Sequence, residues 1–337
     1  EVNRFGFHFL GCPKAHASFP MPRSASAYLL GLLKADVLTV SEERSSSNVS
    51  ASGNVSGSRR TGGLIGISRD SSRVTVSDAH ATGDVTAAVG GTTHAYVGGL
   101  VGELQNAGDV RNISAAGDVS VSGNSNNVHG TKVGGLIGQL THTSSTRVVA
   151  NASSTGDVST TGGGTVGGLI GRYTGDGTIE NSYAQGNVSA ESGDNIGGLI
   201  GQGSGEIVRV YASGLVTGSG STSGLVGSGG QLSESYWDKG ATNQTDATGS
   251  GTPDGATGYG SVDDTTPAPQ MQGRAATELM DGLHYTTTWN VTRGYPVLQA
   301  QSTGTEQPPR TVATVTATNA TGVQSEQFPV AITVTTA

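Results

Sequence analysis

His8, Cys12 and His16 stand four residues apart, a spacing that would put three metal-ligating side chains on one face of a helix. Pro13 lies among them and breaks such a helix, and no fourth ligand accompanies them. Acid pairs occur at Glu42–Glu43 and Asp263–Asp264, and single acids return at Asp84, Asp118 and Asp157. Cleaving a glycosidic bond takes two carboxyls at a set separation in one cleft. Acids that return in register along a chain are expected instead as turn residues. Gly162, Gly164 and Gly167 fit G-x-G-x-x-G, but no helical pattern follows them to receive a phosphate. Trp237 and Trp289, the two tryptophans, are expected to pack the end of the repeat region, with a sugar platform as the alternative. No catalytic, cofactor-binding or metal-ligating residue is assigned, and no cofactor is expected. Eight N-x-S/T sequons remain, at Asn48, Asn54, Asn112, Asn151, Asn187, Asn243, Asn290 and Asn319. They are candidate N-glycosylation sites where their side chains face outward and the host supplies a transferase.

The elements that position these residues are repeats. GGLIG or GGLVG begins at positions 62, 98, 134, 167 and 197, with a decayed SGLVG at 223, so the copies lie 36, 36, 33, 30 and 26 residues apart. A second motif interleaves with the first: ASGNVS at 51–56, ATGDVT at 81–86, AAGDVS at 115–120, STGDVS at 154–159, AQGNVS at 184–189 and ASGLVT at 212–217. Each unit holds short runs of Val, Ile, Leu and Thr between Gly, Asn, Asp and Ser, which are strand and turn signals. No unit carries an apolar 3.6-residue period long enough for a helix. A period of this length predicts one turn of a parallel β-coil per unit, stacked at about 4.8 Å. The fold class expected is all-β, a parallel β-solenoid of about six coils. In VGGLIG the Val, Leu and Ile should point inward while the glycines allow sharp corners. Asn54, Asp84, Asp118, Asp157 and Asn187 should stack at one corner and satisfy turn backbone groups.

Composition agrees. The chain has 55 glycines, 5% aromatics and 13% charged residues. Such a sequence builds a thin core shared between stacked coils more readily than a wide globular one. The net charge of −8 argues against a nucleic-acid partner, which needs basic stripes. One cysteine excludes an intrachain disulfide, and no apolar run approaches the roughly 18 residues of a membrane span. A chain opening on Glu1 is expected to be processed or a fragment.

These units resemble the GLUG repeats of bacterial and archaeal surface proteins, including adhesins. The best-matching copy is IENSYAQGNVSAESGDNIGGLIG at 179–201. SYWD at 235–238 and the W…GYPVL of 289–298 fit the segments that close such repeats. The resemblance implies a β-solenoid at the cell surface, extracellular, with no catalytic residues to carry over.

The chain divides into an N-terminal cap or assembly segment (1–47), the repeat solenoid (48–240), a loop-rich C-terminal cap (241–304) and a β-strand tail (305–337). The cap is expected to hold a long loop over 243–269 and one helix over 274–283 (RAATELMDGL). The tail alternates as two strands, at 311–322 and 328–337, like the end of an immunoglobulin-like or cadherin-like domain. Two strands alone are marginal in water, so they should dock on the solenoid or join another protomer. The function expected is structural: a filament or surface-assembly subunit that joins identical protomers through those strands. The alternatives are a monomeric adhesin for glycans or another cell-surface protein and, third, a polysaccharide-degrading β-helix enzyme.

Overall fold

The computed structural model describes residues 45–68, 74–90, 94–123 and 130–302, together with the backbone strands Asn3–Phe9, His16–Met21, Leu38–Thr39, Thr314–Thr318 and Ala331–Thr335. The repeat region is a parallel β-solenoid of six coils. Each coil runs through four strands. In the third coil these are a long strand, Ala107–Ala115, a corner strand, Val119–Gly123, and two strands joined by the glycine pair, Lys132–Gly134 and Ile137–Thr141. Equivalent strands of successive coils pair in parallel: Val119 with Val85 and Val158, Val133 with Val97 and Val166, Ile137 with Val101 and Ile170. Six stacked coils span roughly 30 Å at the usual strand spacing.

The two sequence motifs are the two sides of one waist. Val97, Val119 and Val133 line a small chamber beside the corner. Leu100, Val101, Val110, Ile113 and Leu136 line a larger chamber beyond it. Between the chambers, the second glycine of each GGLIG faces the small residue that opens the other motif. A Cβ on Gly99 would lie 2.8 Å from the Ala115 Cβ, and one on Gly168 would lie 2.9 Å from the Ala184 Cβ. Any side chain there would force the chambers apart. The inward Val, Leu and Ile are fully buried, each contributing roughly 1.5–3 kcal/mol by leaving water.

Beyond the sixth coil, Ser235–Asp238 adds a seventh row to the long-strand sheet and Ala256–Tyr259 pairs with it in parallel. Segment 243–269 is therefore not a plain loop. Its Asp246 and Ala247 carbonyls also receive the Gly224, Leu225 and Val226 N–H groups that end the last coil. Three short α-helices follow the seventh row, α1 (Lys239–Thr242), α2 (Gly273–Leu279) and α3 (Gln299–Ser302), with a single 3-10 turn at Pro269–Met271. The expected helix over 274–283 is thus shorter, and two others accompany it.

This C-terminal segment is a strap that runs back along the outer face of the long strands. Met271, Met280, Leu283, Trp289 and Leu298 pack on Tyr183 and Tyr211 of coils five and six and on Tyr236 of the seventh row. Tyr183 and Tyr211 stack with parallel rings 5.1 Å apart, and the Tyr211 hydroxyl donates to the Pro296 carbonyl at 2.6 Å. Further back, Gln301 of α3 donates to the Ile113 and Asn151 carbonyls of coils three and four and accepts from Ser153. At the other end, Leu38–Thr39 joins the sheet beside Ile65–Ser68. Thr314–Thr318 pairs antiparallel with Ala331–Thr335.

Candidate functional site: the asparagine and aspartate columns

Two columns, mostly of Asn and Asp, run along the solenoid, six residues apart in coils two to six. The first stands at the corner. Each side chain uses its Oδ1 to accept the backbone N–H of the equivalent residue one coil later. Asn54 caps Asp84 at 2.9 Å, Asp84 caps Asp118 at 3.1 Å, Asp118 caps Asp157 at 2.9 Å, Asp157 caps Asn187 at 2.8 Å, and Asn187 caps Leu215 at 3.0 Å. The turn leaves these N–H groups without a strand partner, and an Asx side chain satisfies them. The expected stacked corner is therefore present. Leu215 ends it, because its side chain offers no acceptor.

The second column lies inside the long strands and is not evident in the sequence. Asp78, Asn112, Asn151, Asn181, Arg209 and Glu234 all adopt left-handed backbone, with φ between 45° and 56°. Such residues are costly outside glycine, and Asn and Asp tolerate the conformation best. Hydrogen bonds along the column hold them. Asn151 donates to Asn112 and Asn112 donates to Asp78, both at 2.9 Å. At the far end the Arg209 guanidinium joins Asn181 at 3.1 Å, Glu180 at 2.6 Å and Glu234 at 3.4 Å.

Two separate buried polar groups lie away from the columns, one at a bend opposite the corner and one in the strands beside the glycine pair. His142 is buried with Nδ1 3.1 Å from the Tyr173 hydroxyl and Nε2 3.1 Å from the Gly108 carbonyl. Burial pushes its pKa down to about 4 against the opposing pull of that carbonyl and Asp109, so the ring is neutral. Burial likewise raises the Tyr173 phenol. Glu103, fully buried, meets the Arg60 guanidinium and the Gln105 amide, both at 2.5 Å. Such a pair is specific in geometry, and losing one partner costs more than the pair contributes.

The other candidate residues are not brought together. His8 stands opposite His16 in the antiparallel pair Asn3–Phe9 and His16–Met21, not one helical turn away, and Cys12 lies outside the described residues. Among the described residues no three His, Cys, Asp or Glu side chains converge as metal ligands. Gly162 and Gly164 precede the strand Thr165–Gly167 rather than a helix. Trp237 and Trp289 are both buried, which removes them as an open sugar platform. Glu42 and Glu43 lie outside the described residues, while Asp263 and Asp264 are exposed in the strap.

The sequons divide between the columns. Asn54 and Asn187 stand exposed at the corner, and Asn243 is the exposed left-handed C-cap of α1. Asn112 and Asn151 are half-buried members of the inner column. Asn290 is half-buried beside Trp289 in the strap, and Asn319 and the Asn48 side chain lie outside the described residues.

Residues 93–120 and 162–189, each containing a glycine pair, the following long strand and the corner, match the family model of the GLUG motif. The chain carries GLUG repeats. Halomucin from Haloquadratum walsbyi (strain DSM 16790 / HBSQ001) is 65% identical over 188 residues, which is 55% of this chain and 2% of Halomucin. The chain therefore spans a small part of that relative's length. No solved structure matches it. In GLUG terms, the Gly-Asx-Val step of each repeat is the corner column, and the Gly-Gly step is the waist.

Proposed function

We propose that this GLUG solenoid is an extracellular structural element of a cell surface, without catalysis, that joins further copies through its C-terminal strand pair. The observation that carries the structural reading is the use made of the recurring acids and amides. Asn54, Asp84, Asp118, Asp157 and Asn187 each hold the next coil's backbone, and none converges on a common point. Catalysis needs a group aimed at a substrate, whereas a ladder needs the same group in every coil. The identity to Halomucin supports a cell-surface or secreted location. The pair Thr314–Thr318 and Ala331–Thr335 supports the joint, because among the described residues no third strand pairs with either of its edges.

Electron microscopy of native material tests the assembly. Ordered filaments or sheets that are lost when residues 311–337 are deleted are the expected result. Normal assembly of the deleted chain would remove the strand joint from the proposal. Isolated single rods would favour an adhesin for a glycan or another surface protein.

A further inference from the structure

The six sequons whose asparagine side chains the structure describes are equal in sequence but not in the folded chain. An asparagine glycosyltransferase must reach the Nδ2 amide and read the hydroxyl two residues later. At Asn54 both are exposed: the amide donates at the surface to Asp84 Oδ2, at 3.5 Å, and Ser56 shares a hydrogen bond with the Thr86 hydroxyl of the next coil, at 2.8 Å. At Asn187 both the amide and Ser189 are exposed. At Asn243 the amide and Thr245 are exposed, and Thr245 donates to the neighbouring Asp246.

The inner column is closed to the same chemistry. Asn112 commits Nδ2 to Asp78, and its sequon hydroxyl, Ser114, is bonded to His80 Nδ1 at 2.8 Å. Asn151 commits Nδ2 to Asn112, and its sequon hydroxyl, Ser153, is buried under the strap and donates to Gln301 at 2.7 Å. In the strap the sequon hydroxyl of Asn290, Thr292, donates to the Tyr295 carbonyl at 2.7 Å.

The corner also tolerates the product. An N-glycosylated asparagine keeps its Oδ1 acceptor and one amide N–H. Asn54 and Asn187 use Oδ1 to cap the next coil, and each needs only one N–H for its other bond, Asn54 to Asp84 Oδ2 at 3.5 Å and Asn187 to Asp157 Oδ2 at 3.3 Å. A sugar on either amide therefore leaves the ladder intact.

We propose that the folded chain is an N-glycan acceptor at Asn54, Asn187 and Asn243 and not at Asn112, Asn151 or Asn290. The acceptors share one edge of the rod. Asn54 and Asn187 are four coils apart, about 19 Å at the strand spacing, on the same column. Asn243 lies beside the column's end, where its neighbour Gln244 donates to the Val216 carbonyl. The glycans form a fringe along the corner and leave the strapped face bare. This inference rests on the extracellular reading only for where sugar is added in a cell.

The test is therefore made outside one. The folded chain is treated with a soluble asparagine glycosyltransferase and UDP-glucose, alongside free peptides spanning each sequon. In the reaction Nδ2 bonds to the glucose C1, the C1–O bond to UDP breaks, UDP leaves with the electron pair, and the amide proton passes to the transferase's base. Peptide mass spectrometry should find glucose at Asn54, Asn187 and Asn243 of the folded chain. Asn112 and Asn151 should be modified about ten-fold less than in their free peptides, because only rare local opening exposes them. Ser56→Ala and Ser189→Ala should each remove one glucose without moving the melting temperature. Folded-chain modification of Asn112 or Asn151 as ready as that of Asn54 overturns the proposal. So does refusal of Asn54 and Asn187 in a folded chain whose peptides are accepted. Neither outcome bears on where the native protein resides.

Discussion

The corner column and the inner column use the same residue types for opposite purposes. At the corner, Asn and Asp side chains point outward and hold the backbone of the next coil. In the inner column they hold each other, while their own backbone is forced into left-handed geometry. The corner is uniform because one glycine dictates it: the Cβ of any other residue at Gly117 would overlap the Gly83 carbonyl one coil away. The inner column has no such dictator. It accepts Asp78, Asn112, Asn181, Arg209 and even Glu234, provided that side-chain bonds offset the strain. Backbone contact enforces identity, whereas side-chain contact enforces only chemistry.

The most severe way to break this comparison is Gly117→Ala. The new methyl meets backbone on the adjacent coil, which cannot rotate away, so the loss should be at least about 3 kcal/mol. Thermal unfolding followed by circular dichroism measures it. A loss under 1 kcal/mol would show that the coils can part at the corner. The buried bend at His142 supplies the next effect. Its folded pKa, about 4, is below the ordinary 6.5, so the unfolded chain binds the proton more readily. Stability from the neutral ring is fully present above pH 6.5 and is lost as pH falls from there towards 4. The full loss is about 2–3 kcal/mol. His142→Gln should flatten that pH dependence, and an unchanged acid limb in urea titrations would count against the buried ring.

Asn112→Ala should come third. It leaves Asp78 and Asn151 without their common partner and puts alanine in left-handed backbone, a cost of about 2 kcal/mol. Asn112→Gly should recover part of it, because glycine needs no support at positive φ. If both variants cost the same, strain is not the issue at this position. The smallest effect belongs to Asp118→Asn at the corner. Asparagine keeps the Oδ1 cap and removes one of three carboxylates stacked in adjacent coils, whose mutual repulsion in water is about 1 kcal/mol or less. The variant should match or exceed the parent by up to about 0.5 kcal/mol at low salt, and the gain should vanish in 1 M salt as the charges are screened. A clear loss would mean that the carboxylate does more than cap.

These differences also mark what was legible in the sequence. Gly-Asp-Val and Gly-Gly-Leu-Ile-Gly recur because each glycine meets backbone, so coil number, parallel pairing and the corner ladder could be read from spacing. The inner column could not, since Arg209 and Glu234 carry no turn signal and their strands read as plain alternation. Glu103 occurs in one coil, where the equivalent positions are Ile67 and Gln139, so no pattern announces its buried pair with Arg60. Gln301 reaches Ile113 across 188 positions, a separation that no local motif encodes. Of the candidate sites, the sequons were visible as motifs, but their division into open and closed sets depends on which hydroxyls the fold buries or engages: Ser114 by His80, Ser153 by Gln301 and Thr292 by the Tyr295 carbonyl.

The strap has a consequence for how the rod bears tension. A pull applied ahead of Ser45 and behind Ser302 enters at the first coil and leaves beside coils three and four, where α3 is fastened. The last coils, and the aromatic stack over them, lie outside the path of the load while that fastening holds. Gln301 then behaves as a mechanical fuse. Once its bonds to Ile113, Asn151 and Ser153 part, the strap peels towards the seventh row and the whole solenoid takes the force. In single-molecule pulling, Gln301→Ala should lower the first rupture force and leave later ones unchanged, so that a shielded half of the rod serves as reserve length.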